Sequence, residues 1–322
     1  MPEPRRPRFA IADTKVSAGK RKTVEIPIAK LPTGSSLSMP ITVVNGLEPG
    51  PVIWVSAAIH GDELNGVEII RQLLNTVSAR TLRGTIIAVP VVNVYGFVNR
   101  SRTFPDGRDL NRSFPGSARG SMASRVARLF MSTVVERCEL GMDFHTATAH
   151  RVNIPQIRAD LDDPETRRLA LAFAADATLD ARLRDGSLRA AATKKGKRVL
   201  LFEGGEAQRF DREAIAAGVS GSMRVLGTLG MIPKEDVPKR RRTFVSRKGR
   251  WVRARSSGVL RLDAQIGDDV AKGDVLGSIG PVGSGKTSRI TATVSGRVIG
   301  ATLDPIIGQG NAIVNIAEPE GA

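Results

Sequence analysis

The chain has 322 residues and a formal net charge of +16, with 41% hydrophobic but only 4% aromatic residues. This length and composition predict a globular protein of about two domains with a mainly aliphatic core. The single cysteine, Cys138, excludes an intramolecular disulfide, and with no long apolar run or secretory signal the sequence predicts a cytoplasmic protein that does not span a membrane.

Most of the positive charge lies in two segments. Residues 1–30 carry eight Lys or Arg against three acidic residues, and residues 234–255 carry ten against two. Basic tails and linkers are usually solvated, and no nucleic-acid-reading motif accompanies them. We therefore expect no dedicated nucleic-acid binding. The alternative is that these segments bind polyanions, in which case binding would weaken with salt.

After a basic stretch at 1–22, which is predicted to be disordered, the chain alternates between strand and helix patterns up to residue 236. Strands are predicted at 23–28, 40–46, 51–58, 84–93, 140–144 and 197–202, and helices at 63–78, 121–138, 163–177 and 211–229. This alternation predicts an α/β domain over 23–236, with a mixed, mostly parallel sheet flanked by helices. The loop at 98–120 is too long for a simple connection and is therefore a candidate functional segment.

From residue 237 the pattern changes to short strands separated by Gly and Asp. Residues 237–255 are predicted to be a basic linker or first strand, and residues 256–322 a small all-β module. The turns at 267–270 and 273–276 resemble those of biotinyl/lipoyl-type domains, which have a barrel-sandwich fold, but no carrier lysine lies at a hairpin tip. We expect the module to form a lid or wall over the first domain.

His60 and Glu63 lie three residues apart where a predicted buried strand meets a helix. That spacing allows both side chains to lie on one face of the first helical turn. The chain has three histidines, and a second one, His145, also ends a short strand. Two His and one Glu form the ligand set of a hydrolytic zinc site. A glutamate that caps a helix near a buried histidine would give the same pattern, and His150 is a weaker candidate ligand.

Two further groups are candidates for contact with a ligand. The loop at 102–116 is rich in arginine, and guanidinium groups bind carboxylates through two hydrogen bonds. Its arginines are equally able to pair with Asp106 and Asp109 of the same loop. Glu203 ends a strand in a Gly-rich turn and is the candidate general base, with Glu206 as its competitor.

Together, these segments resemble the succinylglutamate desuccinylase/aspartoacylase family, which is grouped with the M14-type zinc carboxypeptidases. The segments that carry the resemblance are Ala58–Glu63, Asp109–Arg112, Asp143–His145 and the later Glu203. The resemblance covers residues 24–318 and implies a zinc carboxypeptidase-like fold. It also implies one zinc ion per chain, and the residues that would hold it are His60, Glu63 and His145.

The resemblance further assigns roles around that metal. It implies that Glu203 is the catalytic base and proton shuttle, and that Asp143 orients His145. Arg102 is in position to polarise the scissile carbonyl, with Arg100 and Arg108 as rivals. The residues expected to bind a substrate carboxylate are Asn111 and Arg112, together with Arg108. Relatives commonly use a later tyrosine on the substrate, whereas the only tyrosine here is Tyr95, so the substrate identity is not carried over.

The function implied is a zinc-dependent hydrolase that cleaves the amide bond of a small carboxylate-bearing substrate, such as an N-acyl amino acid. One alternative is a carboxypeptidase, since the same Asn-Arg pair would bind the α-carboxylate of a peptide. Another is a nucleotide-binding protein, because Gly280–Thr287 matches the P-loop pattern. That motif needs a helix directly after it, and residues 288–296 alternate like a strand instead. A homo-oligomer is compatible with the sequence.

Overall fold

The computed structural model describes residues 7–30 and 33–321, so that residues 1–6 of the predicted disordered N-terminus lie outside the described part. The strands are β1 (Phe9–Ile11), β2 (Thr14–Val16), β3 (Lys20–Lys30), β4 (Ser36–Asn45), β5 (Glu48–Ala57), β6 (Arg83–Val89), β7 (Leu140–His145), β8 (Arg151–Ala159), β9 (Ala177–Asp180), β10 (Arg198–Gly205), β11 (Phe244–Ser246), β12 (Lys248–Arg253), β13 (Gly258–Leu262), β14 (Asp269–Val270), β15 (Val275–Gly280), β16 (Ser288–Thr291), β17 (Gly296–Thr302), β18 (Ile306–Ile307) and β19 (Ala312–Glu318). The α-helices are α1 (Asn65–Thr76), α2 (Val94–Asn99), α3 (Met122–Thr133), α4 (Pro164–Phe173), α5 (Leu188–Lys194) and α6 (Arg212–Thr228). None of the helices in these residues is long and apolar enough to cross a membrane.

A large mixed sheet forms the centre of the described structure. Its main strand order is β12-β19-β17-β8-β10-β7-β5-β6-β4-β3. In addition, β9 pairs with β8, β11 pairs with β9, and β14 pairs with β17. The middle strands β6, β5, β7 and β10 are parallel, whereas antiparallel strands continue the sheet in both directions. The predicted mixed α/β fold with flanking helices is confirmed.

Strand β5 illustrates how the sheet is covered on both faces. Ile53, Val55 and Ala57 pack in one core with residues of α1, α4 and α6, while Trp54 packs in the opposite core with residues of α3 and α5. Successive side chains of a strand point to opposite faces. The continuous apolar run in β5 is therefore what a strand covered on both sides requires.

Four of the helices begin at a capping side chain. Ser121, Asp163, Ser187 and Asp211 each accept a hydrogen bond from the backbone N–H three residues later, at the start of α3, α4, α5 and α6. Such a cap satisfies one of the N–H groups that a helix leaves unpaired at its N-terminus. These caps explain why the helices start at these residues.

The N-terminal segment forms a hairpin where the basic composition of residues 1–22 predicts disorder. Strands β1 and β2 pair antiparallel, and Phe9, Ile11 and Val16 fall on one face of the pair. Ile11 and Val16 are buried in the core that contains Trp54. The Asn45 side chain also donates a hydrogen bond to the Val16 carbonyl at 2.9 Å. A few apolar side chains on one face are enough to fix the segment, although its net charge is positive.

Three elements next to the later strands were not predicted, namely β8, β9 and α5. Strand β8 carries Arg151, Asn153, Gln156 and Arg158, and it also contains Pro155. An apolar alternation is the main signal for a strand, and in β8 the alternation of Val152 and Ile154 stops after four residues, at Pro155 and Gln156. Helix α5 is short and rich in alanine, so its apolar periodicity is weak.

The C-terminal module is continuous with the large sheet. Strand β17 pairs with β8, and β12 pairs with β19. A second sheet, β16-β15-β13-β18, packs on these strands, and both sheets share a core that includes Leu276, Val298 and Ile313. Within the segment 237–255, β11 pairs with β9 of the α/β domain. The loop 281–287 joins antiparallel β15 and β16 and is followed by a strand, which confirms the hairpin prediction over a P-loop.

The hairpin at the N-terminus can be tested by mutation. Ile11 is fully buried, and replacing a buried isoleucine by alanine lowers the free energy of unfolding by about 2–5 kcal/mol. We expect Ile11→Ala to show a loss of this size in chemical denaturation, whereas the exposed Lys15→Ala stays close to the wild type. Equal stability of the two variants would mean that the segment is not packed in solution.

Candidate active site

Three buried side chains meet at the carboxyl ends of β5 and β7. Nδ1 of His60 lies 2.7 Å from Oε1 of Glu63, and Nδ1 of His145 lies 2.8 Å from Oε2 of the same carboxylate. One donor atom from each residue lies within 4.8 Å of the others. Two imidazole nitrogens and a carboxylate oxygen are the donors that hold zinc in hydrolytic sites. The residues present therefore fit a metal ion.

The turn that carries His60 and Glu63 is tightly packed. Ala58, directly after β5, has a φ of 49°, and the Glu63 N–H donates to the His60 carbonyl at 3.1 Å. A Cβ at position 61 would lie 1.9 Å from the carbonyl carbon of Gly96, so only glycine fits there. A Cβ on Gly66 would likewise lie 2.6 Å from Cβ of Phe144, and α1 thus sits directly against the sheet.

Each histidine is oriented by a carboxylate at its other ring nitrogen. Nε2 of His145 lies 2.9 Å from Oδ2 of Asp143, whose Oδ1 accepts a hydrogen bond from Ser56 at 2.8 Å. Nε2 of His60 lies 3.2 Å from Oδ1 of Asp109. Such carboxylates fix the tautomer of a ligating histidine and raise its basicity. The contact of Asp109 with His60 was not predicted, because Asp109 lies among several charged residues of one loop and nothing in the sequence distinguishes it from them.

Burial and neighbouring charges act in opposite directions on this cluster. Burial alone would raise the pKa of Glu63, but His60 and His145 hold that pKa well below its ordinary range. Burial would lower the pKa of His145, whereas Asp143 and Glu63 raise it well above the usual value. Glu63 therefore stays ionised, which is the form that a metal ligand needs.

Arg102, Asn111 and Arg112 converge on the cavity above the cluster. Arg102 Nη1 lies 3.3 Å from Glu63 Oε1, and its Nη2 lies 3.1 Å from Asp109 Oδ2. The Asn111 side-chain oxygen accepts from the Leu188 N–H at the start of α5, at 2.9 Å, so its amide N–H groups are the atoms left for a ligand. Arg112 Nη1 donates to the Asn111 carbonyl at 2.6 Å.

Glu203 lies in β10, directly opposite His145 in β7. Its Oε2 accepts a hydrogen bond from the Asn153 side chain at 2.9 Å, and its Oε1 lies 3.6 Å from Arg158 Nη1. Of the two candidate bases, Glu203 lines the cavity, whereas Glu206 pairs with Arg209 at 3.1 Å. Of these two carboxylates, Glu203 is therefore the one that shares the cavity with His60, Glu63 and His145.

Four residues considered from the sequence lie elsewhere. Arg108 is exposed and pairs with Asp106 at 3.2 Å, outside the cavity lining. This position does not support the predicted role of Arg108 in substrate binding, because a spacing of two residues allows Arg108 to pair with Asp106 of its own loop. Arg100 and His150 are exposed with positive φ, and Tyr95 packs against Phe104.

The cavity has a volume of about 480 Å³ and a strongly cationic lining. Beyond the predicted residues, its charged lining comprises Arg151, Arg158, Arg182, Arg184, Arg189, Lys248 and Asp180. Arg189 is 6% exposed and donates to the carbonyls of Ala181 and Arg182, and its Nη1 is buried with no partner among the described residues. Burial lowers the pKa of Arg189 to about 10. Sequence reasoning missed these arginines, because they belong to elements with no recognisable motif.

The C-terminal module supplies one wall of this cavity. Lys248, Trp251, Ile299 and Asn315 all line it. The Arg151 guanidinium of β8 lies 5.3 Å from the centre of the Trp251 ring, which is a cation–π distance. The cavity is thus built by the α/β domain and the module together.

Comparison with known proteins agrees with this geometry. A model of the succinylglutamate desuccinylase/aspartoacylase catalytic domain matches residues 49–229, which is more than half of the chain. The chain belongs to the succinylglutamate desuccinylase/aspartoacylase family. The match includes His60, Glu63, His145 and Glu203, and it ends before the C-terminal module.

Individual relatives extend the family match over most of the chain. An N-alpha-acetyl-L-2,4-diaminobutyric acid deacetylase from Halomonas elongata is 28% identical over 288 residues, which are 85% of this chain and 83% of the relative. A succinylglutamate desuccinylase/aspartoacylase structure from Rhodobacter sphaeroides aligns at 25% identity with a TM-score of 0.82, covering 93% of this chain and 96% of the other. The product-bound ectoine utilization protein EutE (DoeB) from Ruegeria pomeroyi has a TM-score of 0.84 at 24% identity, covering 98% and 99%, and shares the fold.

The roles of Asp143 and Asp109 in orienting the histidines can be tested by measuring the affinity of the protein for zinc. Loss of such a partner typically weakens metal binding by about 10- to 100-fold. We expect Asp143→Asn and Asp109→Asn each to lower zinc affinity by this amount in competition with a chelator, with an unchanged circular dichroism spectrum. The exposed Asp106→Asn is the matched control and should bind zinc like the wild type. Wild-type affinity in both test variants would contradict the assignment.

Proposed function

We propose that the chain is a zinc-dependent amide hydrolase that removes the acyl group from a small N-acyl amino acid bearing a carboxylate. The observation that carries this proposal is the placement of Glu203 opposite His145 on adjacent parallel strands, in one cavity with Arg102 and Arg112. A base, a metal-ligand set and cationic groups therefore face the same ligand. The deacetylase from Halomonas elongata supports the reaction class.

The residues of the cluster have distinct roles in this proposal. His60, Glu63 and His145 would hold the zinc ion, which when bound supplies a Lewis acid that polarises a carbonyl and lowers the pKa of water. Glu203 takes a proton from water at its Oε1 and passes it to the leaving nitrogen. Arg102 stabilises the negative charge that develops on the carbonyl oxygen, since its guanidinium already lies beside the cluster.

The carboxylate of the substrate would be bound by Asn111, Arg112 and Arg189, which line the same cavity. The buried Arg189 Nη1 has no partner among the described residues. Guanidinium groups bind carboxylates through charge-assisted hydrogen bonds. Because the arginines and Lys248 outnumber the acidic residues of the lining, an anionic ligand is favoured over a cationic one.

The general base is tested by Glu203→Gln. This change keeps the size of the side chain but removes its ability to accept a proton, and general base catalysis typically contributes about 10²–10⁴-fold. We expect kcat on N-acyl amino acids to fall by at least this lower bound while the zinc content measured by elemental analysis is unchanged. Glu206→Gln is the control and should retain activity. The opposite pattern would make Glu206 the base.

Carboxylate recognition is tested by comparing two arginines of one loop. A hydrogen bond to a charged group contributes about 1.5–3 kcal/mol, so we expect Arg112→Ala to raise KM about 10- to 100-fold. Arg108→Ala should leave KM unchanged, because that guanidinium pairs with Asp106 outside the cavity. Assays on N-acyl amino acids and on short peptides, side by side, distinguish a deacylase from a carboxypeptidase. A larger effect at Arg108 would overturn the proposed substrate orientation.

A further inference from the structure

A row of paired residues runs from the C-terminal module to the proposed base. Asn315 in β19 is paired with Gly300 in β17, and Gly300 is paired with Asn153 in β8. Asn153 is 7% exposed, and its Nδ2 donates to Glu203 Oε2 at 2.9 Å. Asn153, which donates to Glu203, therefore lies on the strand that pairs directly with β17 of the module.

Gly300 leaves the space that the Asn153 amide occupies. A Cβ at position 300 would lie 2.5 Å from Asn153 Oδ1, which is closer than two non-bonded atoms can approach. Gly300 does not have a positive φ, so backbone conformation does not explain the glycine, whereas the close approach does. The amide oxygen thus occupies the space above Gly300, and the amide N–H groups are directed to Glu203.

This contact determines which oxygen of Glu203 is available for proton transfer. Asn153 occupies Oε2, while the nearest charged partner of Oε1 is Arg158 Nη1 at 3.6 Å, beyond a normal hydrogen bond. Oε1 is therefore left as the proton acceptor. A carboxylate held by one oxygen keeps the other in a defined place, which matters because proton transfer needs heavy-atom distances of about 2.6–3.2 Å.

We propose that Asn153 and Gly300 are positioning residues for Glu203, and that the C-terminal module completes the catalytic site through this contact. The inference rests on the proposed role of Glu203 as the base. It gives the module a part in catalysis besides forming a wall of the cavity, although neither Asn153 nor Gly300 takes part in the chemistry itself.

The first test separates positioning from binding and folding. In Asn153→Ala we expect kcat on the best N-acyl amino acid to fall about 10- to 100-fold, the size expected for losing a hydrogen bond to a charged group. KM, zinc content and the midpoint of thermal unfolding should stay close to the wild type. A fall in activity that tracks lost zinc or lost stability would overturn the inference, since the role would then be structural.

The second test is a double-mutant cycle between Asn153 and Gly300. Gly300→Ala should lower kcat to a similar extent, because its methyl group displaces the Asn153 amide. In the Asn153→Ala background the atom at 2.5 Å is gone and the next contact is the Val152 carbonyl at 3.2 Å, so the same change should have little further effect. Additive losses would show that the two residues act independently and would overturn the coupling.

Two controls keep this inference distinct from the proposed function. Gly283→Ala in the same module has nothing within 4 Å of its added Cβ and should behave like the wild type. If Glu203→Gln is inactive but Asn153→Ala has wild-type kcat, the positioning inference fails alone. If Glu203→Gln keeps full turnover, the proposed base fails, and the role of Asn153 fails with it.

Discussion

The site depends on one buried carboxylate that is shared by two imidazoles. Burying an ionised glutamate is costly unless the charge is paired and hydrogen-bonded. Glu63 meets that condition through His60 and His145, and its Oε2 also accepts from the Thr146 N–H at 3.2 Å. His60 belongs to the turn after β5, whereas His145 and Thr146 are consecutive residues at the end of β7. The close packing of the turn after β5 and the position of β7 are therefore both requirements for a stable cluster.

The register of the parallel strands places Glu203 next to this cluster. Ala57 of β5 is paired with Phe144 of β7, and His145 is paired with Glu203 of β10. The carboxyl ends of parallel strands lie at one edge of a sheet, which is where α/β folds bind their ligands. The predicted metal ligands and the proposed base are thus brought together by backbone pairing between strands that are far apart in the chain.

The parts of the structure that could be predicted are those in which the chemistry has a local pattern. His60 and Glu63 share a helical turn, and the apolar run of β5 specifies a strand covered on both sides. Strand β8 was not predicted because the alternation of apolar and polar residues along it stops at Pro155 and Gln156. Arg189 and Asp109 were missed because their roles come from tertiary contacts, which nearby sequence does not encode. The N-terminal hairpin was not predicted because the prediction of disorder followed from the positive charge of residues 1–22 and did not consider the apolar residues Ile11 and Val16.

Apart from the N-terminal hairpin, the elements and residues that were not predicted lie around the cavity. The parallel centre of the sheet carries the predicted metal ligands and the proposed base, and its strands show the continuous apolar runs of a buried sheet. The cavity walls come from elements added around that centre, namely β8, the loop before α5 and the strands of the C-terminal module. A cavity wall is selected for polar contacts with a ligand, so it departs from apolar patterning where the substrate lies. In the proposed function, the reaction would therefore depend on the centre of the sheet and the choice of substrate on the cavity walls around it. Within these walls, the contact between the Arg151 guanidinium and the Trp251 ring joins β8 to a strand near the C-terminal module.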